Sequence, residues 1–245
     1  MHKLFLALLL ASLSMSTLAN GSLRFATTAA NPPFEYLNKD NQIVGFDIEM
    51  GKALCKRMQV ECIFTNTAFD LLLPSLRFRR YDAVIAGMDI TDERLKQVDF
   101  TRPYLANSGT IIAMKNRYSD LAQLKGKRVG VGGDTTQQAY LQSAWPEIIP
   151  VVYDDYQNAL LDMRSNRLDA IFGDTPAVQQ LLKANSQLAS VGKPVTDERY
   201  FGSGLGIAVR KGDAQLLEQL NSALQSLKDD GTLRQLTQHW LGVAN

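Results

Sequence analysis

Short apolar runs alternate along the chain with segments in which apolar residues recur every three or four positions. Residues 23–27 form the first short run and predict a strand. Met50, Leu54 and Met58 then place an apolar stripe on one face of a helix. Leucines repeat with similar spacing over residues 216–227 and predict a longer amphipathic helix. Strands that alternate with helices predict an α/β fold with mainly parallel sheets.

The other elements follow from the same two patterns and from turn residues. Gly45 precedes a helix for which Asp47 is the expected N-cap. Further strands are predicted at residues 62–65, 83–86, 107–114, 128–131, 151–153, 170–172 and 205–209. Further helices are predicted after residues 70 and 136, from residues 158 and 176, and over residues 233–240.

The start of the chain has a different pattern. Lys3 is positive, residues 4–13 are almost entirely apolar, and residues 17–19 supply small side chains around a cleavage point. We therefore predict a secretory signal peptide over residues 1–19, cut after Ala19. The apolar run is too short to cross about 30 Å of hydrocarbon as a membrane anchor.

Charge and cysteine content narrow the class of protein. The chain carries 26 basic and 25 acidic residues, so nothing indicates a nucleic-acid partner. Cys55 and Cys62 form an even pair in a chain predicted to be secreted, which favours a disulfide. Two free buried thiols are the alternative.

Motifs for catalysis or metal binding are scarce. His239 is the single histidine beyond the predicted signal peptide, and it provides neither a zinc cluster nor a Ser-His-Asp triad. The glycine-rich residues 130–133 lack the third glycine of a dinucleotide motif, because Thr135 occupies its place. That turn is either a plain connection or a place where free N–H groups receive a carboxylate. We expect no catalytic residue, no metal and no cofactor.

Six blocks of sequence, in order, resemble those of bacterial solute-binding proteins for polar amino acids. The blocks are GFDIEM at 45–50, DAVIAGMDITDER at 82–94, FTRPY at 100–104, KGKRVGV and TTQ at 125–137, DAIFGD at 169–174, and GLGIAVR and DGT at 204–232. The likeness covers nearly the whole mature chain. It is strongest to the arginine-binding periplasmic proteins of Gram-negative ABC importers.

This resemblance implies an α/β, two-lobed periplasmic-binding-protein-like fold, hinged by two crossing strands. Lobe 1 would comprise residues 22–106 and a return part, residues 197–245, while lobe 2 would comprise residues 107–196. The crossings would lie near residues 106–108 and 193–197. The resemblance also implies a periplasmic monomer that passes an amino acid to an inner-membrane ABC permease.

The resemblance further assigns residues to the two charged ends of an amino acid. Arg94 would bind both carboxylate oxygens with its planar guanidinium, and Thr136 would complete that shell. Asp174 would receive the ammonium, unless it only caps the helix that follows. Gly87 and Asp89 would lie in the facing wall. The expected ligand-binding set also includes Thr28, Asn31 and Gln137.

The resemblance leaves the pocket for the ligand side chain partly open. Phe69 matches the position that stacks on this side chain, and an aromatic face suits a guanidinium. Alternatively, Phe69 belongs to the core above the next helix. Asp89 is the preferred acid for a cationic ligand, ahead of Glu35 and Asp134.

Two positions depart from the family pattern. Relatives usually have Tyr where this chain has Asn31, and Gly where it has Asp134. An acid at position 134 opposes the ligand carboxylate unless it points away or meets a cationic group. Arginine is our first choice of ligand, followed by lysine, ornithine or histidine, and then glutamine.

Two other functions are compatible with the sequence. Some proteins of this fold are dehydratases for cyclic, amino-acid-like acids, and Glu35, Asp89 and Asp134 are available carboxylates. A sensory role, in which the closed form docks on a membrane receptor, has the same sequence pattern as transport. Turnover of prephenate or arogenate would distinguish the enzyme.

Overall fold

The computed structural model describes residues 21–242, so the predicted signal peptide lies outside the described residues. The strands are β1 (Ser22–Thr27), β2 (Ala30–Asn31), β3 (Glu35–Leu37), β4 (Ile43–Val44), β5 (Glu61–Asn66), β6 (Ala83–Val84), β7 (Val98–Phe100), β8 (Gly109–Met114), β9 (Arg128–Gly132), β10 (Ile149–Tyr153), β11 (Ala170–Asp174), β12 (Leu188–Ser190) and β13 (Ala208–Arg210). The α-helices are α1 (Phe46–Met58), α2 (Leu72–Arg77), α3 (Asp92–Leu95), α4 (Thr136–Ala144), α5 (Tyr156–Arg164), α6 (Thr175–Ala184), α7 (Glu198–Phe201), α8 (Ala214–Asp229) and α9 (Thr232–Leu241). Short 3₁₀ turns cover Phe69–Leu71 and Leu121–Leu124. Across these helices, none has the length and apolar character needed to cross a bilayer.

Two five-stranded sheets define two lobes. The sheet of lobe 1 has the order β5-β1-β6-β13-β7 and packs against α1, α2, α8 and α9. The sheet of lobe 2 has the order β10-β9-β11-β8-β12 and packs against α4, α5 and α6. Strands β2, β3 and β4 form a small third sheet beside α1. The predicted α/β, two-lobed architecture is therefore present.

Both large sheets are mixed, so the prediction of mainly parallel sheets is wrong. Strand β1 pairs in parallel with β5 and β6, and β9 pairs in parallel with β10 and β11. Strand β13 is antiparallel to β6 and β7, and β8 is antiparallel to β11 and β12. Strands β8 and β13 follow the two passages of the chain between lobes. A strand–helix–strand connection makes its two strands parallel, but no such connection joins β8 or β13 to the neighbouring strand of its sheet.

Each large sheet is covered on both faces by apolar side chains. In lobe 1, Phe25 and Ile85 pack on the face that α1 and α8 cover, whereas Ala26 and Val84 pack on the face towards α2. Neighbouring residues of a strand point to opposite faces, so β1 and β6 contribute to both cores. Lobe 2 has the same arrangement, with separate apolar clusters around Phe172 and around adjacent Ile171.

The passages between lobes are fixed by backbone pairing. Leu105 bridges to Leu205 in lobe 1, and Gly109 bridges to Val195 in lobe 2, so the first passage lies between residues 105 and 109. Phe201 packs against Phe172 in the core of lobe 2. The return passage therefore lies beyond Phe201, later in the chain than the predicted residues 193–197.

A glycine is required at the start of this return passage. Gly202 has a φ of 57°, and a Cβ atom there would lie 1.7 Å from the carbonyl oxygen of Ile90. No L side chain fits such a close backbone approach in a left-handed conformation. Gly202 thus allows the chain to leave lobe 2 while it contacts the backbone of lobe 1.

Asp47 does not cap α1, contrary to the prediction. Gly45 occupies the N-cap position, and the buried Asp47 carboxylate accepts hydrogen bonds from the Gly87 N–H at 2.6 Å and the Tyr104 hydroxyl at 3.0 Å. A carboxylate in the first turn is favourable to the helix dipole without capping. Asp47 instead fixes the loop that follows β6.

The predicted disulfide between Cys55 and Cys62 is present. It joins helix α1 to β5, which is an edge strand of the lobe 1 sheet. The bridge thus ties the edge of this sheet to the helix that covers it.

Replacing both Cys55 and Cys62 with alanine should lower the free energy of unfolding by about 2.5 kcal/mol, because the unfolded chain regains the freedom of the short closed loop. Urea denaturation of the oxidised wild type and the double variant measures this difference. Wild type treated with a reductant should approach the variant. Equal midpoints for all three samples would show that the bridge does not stabilise the fold.

Candidate ligand-binding site

A cavity of about 410 Å³ lies between the two lobes. Lobe 1 contributes the loop after β1, the 3₁₀ turn at Phe69, the segment after β6 and Arg94 of α3. Lobe 2 contributes the turn between β9 and α4, the end of β10 and Asp174 at the end of β11. Most of these segments follow the carboxyl ends of strands, where α/β folds place ligand sites.

Arg94 provides a guanidinium that contacts both lobes. Helix α3 is capped by the Thr91 hydroxyl, which accepts the Arg94 backbone N–H at 3.3 Å. The Arg94 side chain donates from Nη1 to the Asp89 carbonyl oxygen at 3.0 Å and from Nη2 to the Asp134 carbonyl oxygen of lobe 2 at 3.1 Å. Burial lowers the pKa of Arg94, while neighbouring carboxylates oppose that shift. A guanidinium nevertheless stays charged, so the cavity wall holds one fixed cation.

Two buried carboxylates, one from each lobe, meet at the floor of the cavity. Asp89 accepts the Thr136 hydroxyl at 2.7 Å through Oδ2, and Asp174 accepts Gln137 Nε2 at 2.8 Å through Oδ1. Asn107 Nδ2 donates to Oδ1 of both acids, at 2.8 Å in each case. Asp174 occupies the N-cap position of α6, but its side chain makes no capping hydrogen bond. Its hydrogen bonds are instead to side chains at the cavity floor.

Burial shifts the titration of both acids. It raises the pKa of Asp89 to about 7, and the charge of Asp174 adds to this effect. Burial also raises the pKa of Asp174, against which the hydrogen bonds from Asn107 and Gln137 act. A cation that enters the cavity would favour the ionised form of both groups.

Two of the candidate acids do not line the cavity. Glu35 is fully buried beneath the cavity, beside Asp47. Burial raises the pKa of Glu35 well above its usual range, and the charge of Asp47 adds to this shift. Burial raises the pKa of Asp47 to about 6. The Asp134 side chain is exposed, and its residue has a φ of 60°. Asp134 thus presents its carbonyl oxygen to Arg94, and its carboxylate is not part of the cavity wall.

Phe69 lines the cavity and also packs on the lobe 1 core, so both sequence interpretations describe its position. The guanidinium carbon of Arg94 lies 5.5 Å from the centre of its ring. Gly87, with a φ of 52°, lies close to the Asn31 amide, whose oxygen is buried and has no hydrogen-bond partner. Thr28 also lines the cavity.

The cavity wall also contains three acids that the sequence did not predict as site residues. Asp70 belongs to the 3₁₀ turn of lobe 1, and Asp154 and Asp155 lie between β10 and α5 of lobe 2. Asp155 caps α5 by accepting the Asn158 N–H at 2.8 Å, which is the helix-start pattern that could have located this segment. Among the described lining residues there are five aspartates and a single basic side chain, Arg94. The cavity is therefore acidic, although the whole chain is nearly neutral.

The sequence matches the bacterial extracellular solute-binding proteins, family 3, over residues 23–243, and the chain belongs to that family. It is 53% identical over 240 residues to ABC transporter arginine-binding protein 1 of Escherichia coli (strain K12), a match covering 98% of this chain and 99% of that protein. A solved Salmonella typhimurium periplasmic binding protein, described for its high arginine specificity, has 46% identity and a TM-score of 0.86 over 90% of this chain and 99% of its own.

One further solved structure is described in relation to an enzyme. The structure of an ancestral amino acid-binding protein, described as a precursor of cyclohexadienyl dehydratase, is 32% identical with a TM-score of 0.82, over 90% of this chain and 96% of its own. These comparisons confirm the predicted solute-binding class and fold.

Replacing Asp89 with asparagine should flatten the dependence of stability on pH. The folded protein holds a proton on Asp89 up to a pKa of about 7, whereas the unfolded chain releases it near 3.8. Stability of the ligand-free protein therefore falls as pH rises from about 4 to 7, because the unfolded chain loses this proton first. Thermal unfolding across this range measures the slope.

The exposed Asp40→Asn variant is the control for this experiment, and it should retain the wild-type slope. If Asp89→Asn also kept the wild-type slope between pH 5 and 7, the account of a proton held at the cavity floor would be wrong.

Proposed function

We propose that this protein binds L-arginine between its lobes, outside the inner membrane, and delivers it to an ABC importer. The observation that carries this proposal is the charge of the cavity, whose lining has five aspartates against one arginine. Asp89 and Asp174 are buried and require partners, and the three more exposed acids add negative charge, so this cavity favours a ligand with more positive than negative charge. Arginine carries two cations and one carboxylate and meets that requirement.

The ligand carboxylate would face Arg94. A planar guanidinium can donate to both oxygens of a carboxylate at once. Helix α4 begins at Thr136 in the same wall, and its first turn adds N–H groups and the positive end of the helix dipole. The Asp134 side chain is exposed and does not line the cavity, which lessens the expected conflict with this carboxylate, although its charge still acts on Arg94.

The ligand ammonium would face Asp174 and Asp89. These two acids come from different lobes and lie at the same cavity floor, within reach of one nitrogen atom of Asn107. A tetrahedral ammonium has three donors and can satisfy two carboxylates. This arrangement accounts for a pair of like charges in a buried site.

The side-chain guanidinium would extend towards the mouth of the cavity. Phe69 offers an aromatic face, a contact worth about 1–2 kcal/mol for a desolvated cation. Asp70, Asp154 and Asp155 provide carboxylates from both lobes along the same wall. Asn31 replaces the second aromatic that the family pattern predicts, so we propose that acids here supply part of the selectivity.

Closure of the lobes would couple binding to delivery. The Thr136–Asp89 and Arg94–Asp134 hydrogen bonds already join the lobes directly. A ligand that contacts both walls favours the closed arrangement, since it makes these contacts only there. The importer would then recognise the closed shape.

The relatives support the cellular setting. They include an ABC transporter arginine-binding protein and a periplasmic binding protein. We propose that residues 1–19 direct secretion and that the mature chain works as a periplasmic monomer with an inner-membrane permease as its partner. Nucleic acid is not among its expected partners.

A dehydratase is the second candidate, because one structural neighbour is a dehydratase precursor. Of the three carboxylates available for such catalysis, Glu35 lies beneath the cavity and the Asp134 side chain is exposed. Asp89 remains, and its oxygens already accept hydrogen bonds from Thr136 and Asn107. We therefore favour binding without turnover, and incubation with prephenate or arogenate tests for the enzyme.

Isothermal titration with L-arginine tests the proposed function. We expect one ligand per chain, and we expect Arg94→Lys to weaken binding at least about tenfold, because lysine keeps the charge but loses the two-pronged contact. The exposed Arg117→Lys variant is the matched control and should bind like wild type. Absence of binding by wild type, or unchanged affinity of Arg94→Lys, would refute the proposal.

A further inference from the structure

Asn107 lies in the first passage between the lobes and has no role in the site as proposed so far. The flanking residues are held on opposite sides, with Leu105 bridged to Leu205 in lobe 1 and Gly109 bridged to Val195 in lobe 2. Asn107 does not line the cavity. It reaches the site indirectly, through the two acids at the floor.

One nitrogen atom of Asn107 serves both lobes. Its Nδ2 carries two hydrogens and donates to Asp89 and to Asp174, at 2.8 Å in each case. Its Oδ1 is buried and has no hydrogen-bond partner. The reversed amide would direct this oxygen at two carboxylates, which repel it. The observed orientation therefore uses both donors and leaves the acceptor without a partner, which is unfavourable for a buried group.

We propose that Asn107 is a positioning residue whose two hydrogen bonds favour the ionised forms of Asp89 and Asp174 as the lobes close, so that a cationic ligand displaces less bound proton. This inference rests on the proposed function, because it concerns how the same site accepts a positively charged amino acid.

The physical basis is the repulsion between two buried carboxylates. Two acids that share a site hold one proton between them unless hydrogen-bond donors or cations favour their charged forms. The Asn107 hydrogen bonds favour ionisation of each acid and lie between the two. Without them, the pair would hold its proton to a higher pH, and an incoming ammonium would have to displace more of it.

Other groups also face this pair. Arg94 favours ionisation of both acids, Thr136 donates to Asp89, and Gln137 donates to Asp174. Further charged or titratable neighbours are Glu35 of β3, Asp47 of α1, and two tyrosines. Tyr104 lies in the loop after β7, and Tyr156 begins α5. Among the side chains that the structure describes, Asn107 is distinguished by hydrogen bonds to both acids from a single atom.

The test is Asn107→Leu, which keeps a similar shape and removes both donors. Titrations with L-arginine from pH 5 to 9 should show affinity at pH 7 reduced at least about tenfold. The pH below which binding weakens should move up by about one unit. Proton release on binding, measured by calorimetry in buffers of different ionisation enthalpy, should increase. Ser108→Ala, which changes the next residue of the same passage, should keep the wild-type pH profile.

A second variant separates positioning from simple structural support. The double variant Asn107→Leu, Asp89→Asn keeps only the Asp174 carboxylate of the pair. The pH dependence of binding and the proton release that Asn107→Leu adds to wild type should therefore disappear. If Asn107→Leu instead lowered affinity equally at all pH values, Asn107 would be structural and the inference would be overturned.

NMR of the ligand-free protein tests the inference without arginine. The side-chain carboxyl carbons of Asp89 and Asp174 should titrate at higher pH in Asn107→Leu than in wild type. Unchanged titration would overturn the inference even if arginine binds. Failure of wild type to bind arginine would refute the proposed function but leave this measurement decisive for Asn107.

Discussion

The proposed function depends on negative charge buried between the two lobes, which a cationic ligand would compensate. Asp89 and Asp174 come from separate lobes, yet they meet at one cavity floor with Arg94 as the single lining cation among the described residues. Buried carboxylates are unfavourable unless donors or cations compensate them. Thr136, Gln137 and Asn107 supply donors, and the remaining deficit of positive charge defines the ligand.

The fold brings these groups together by returning the chain between lobes. Strands β8 and β13, which follow the two passages, run against the strands built by strand–helix–strand units. The first passage carries Asn107 to the two acids, and the return passage begins at Gly202, where the backbones of the lobes touch. In the proposed mechanism, closure would bring Asp89 and Asp174 together beside the first passage and would link ligand binding to the shape that a permease recognises.

Local patterns predicted the α/β class and the disulfide, whereas the two lobes and the site residues Arg94, Thr136 and Asp174 followed from the family resemblance. The structure places these three residues along one cavity. Local patterns did not predict that the sheets are mixed, since strand direction after a passage between lobes is set by tertiary pairing. The buried position of Glu35, the outward side chain of Asp134 and the two contacts of Asn107 also depend on neighbours distant in sequence. For the same reason, Asp47 was predicted to cap α1 but is buried and accepts hydrogen bonds from Gly87 and Tyr104.

We propose that positive charge, more than shape, selects the ligand. Comparison of L-arginine with L-citrulline tests this selection most directly. Citrulline has nearly the same size but replaces the guanidinium with a neutral urea group. By calorimetry at pH 7, we expect citrulline to bind at least about 100-fold more weakly, because the wall acids would lose their cationic partner. Equal affinities for the two ligands would contradict the account.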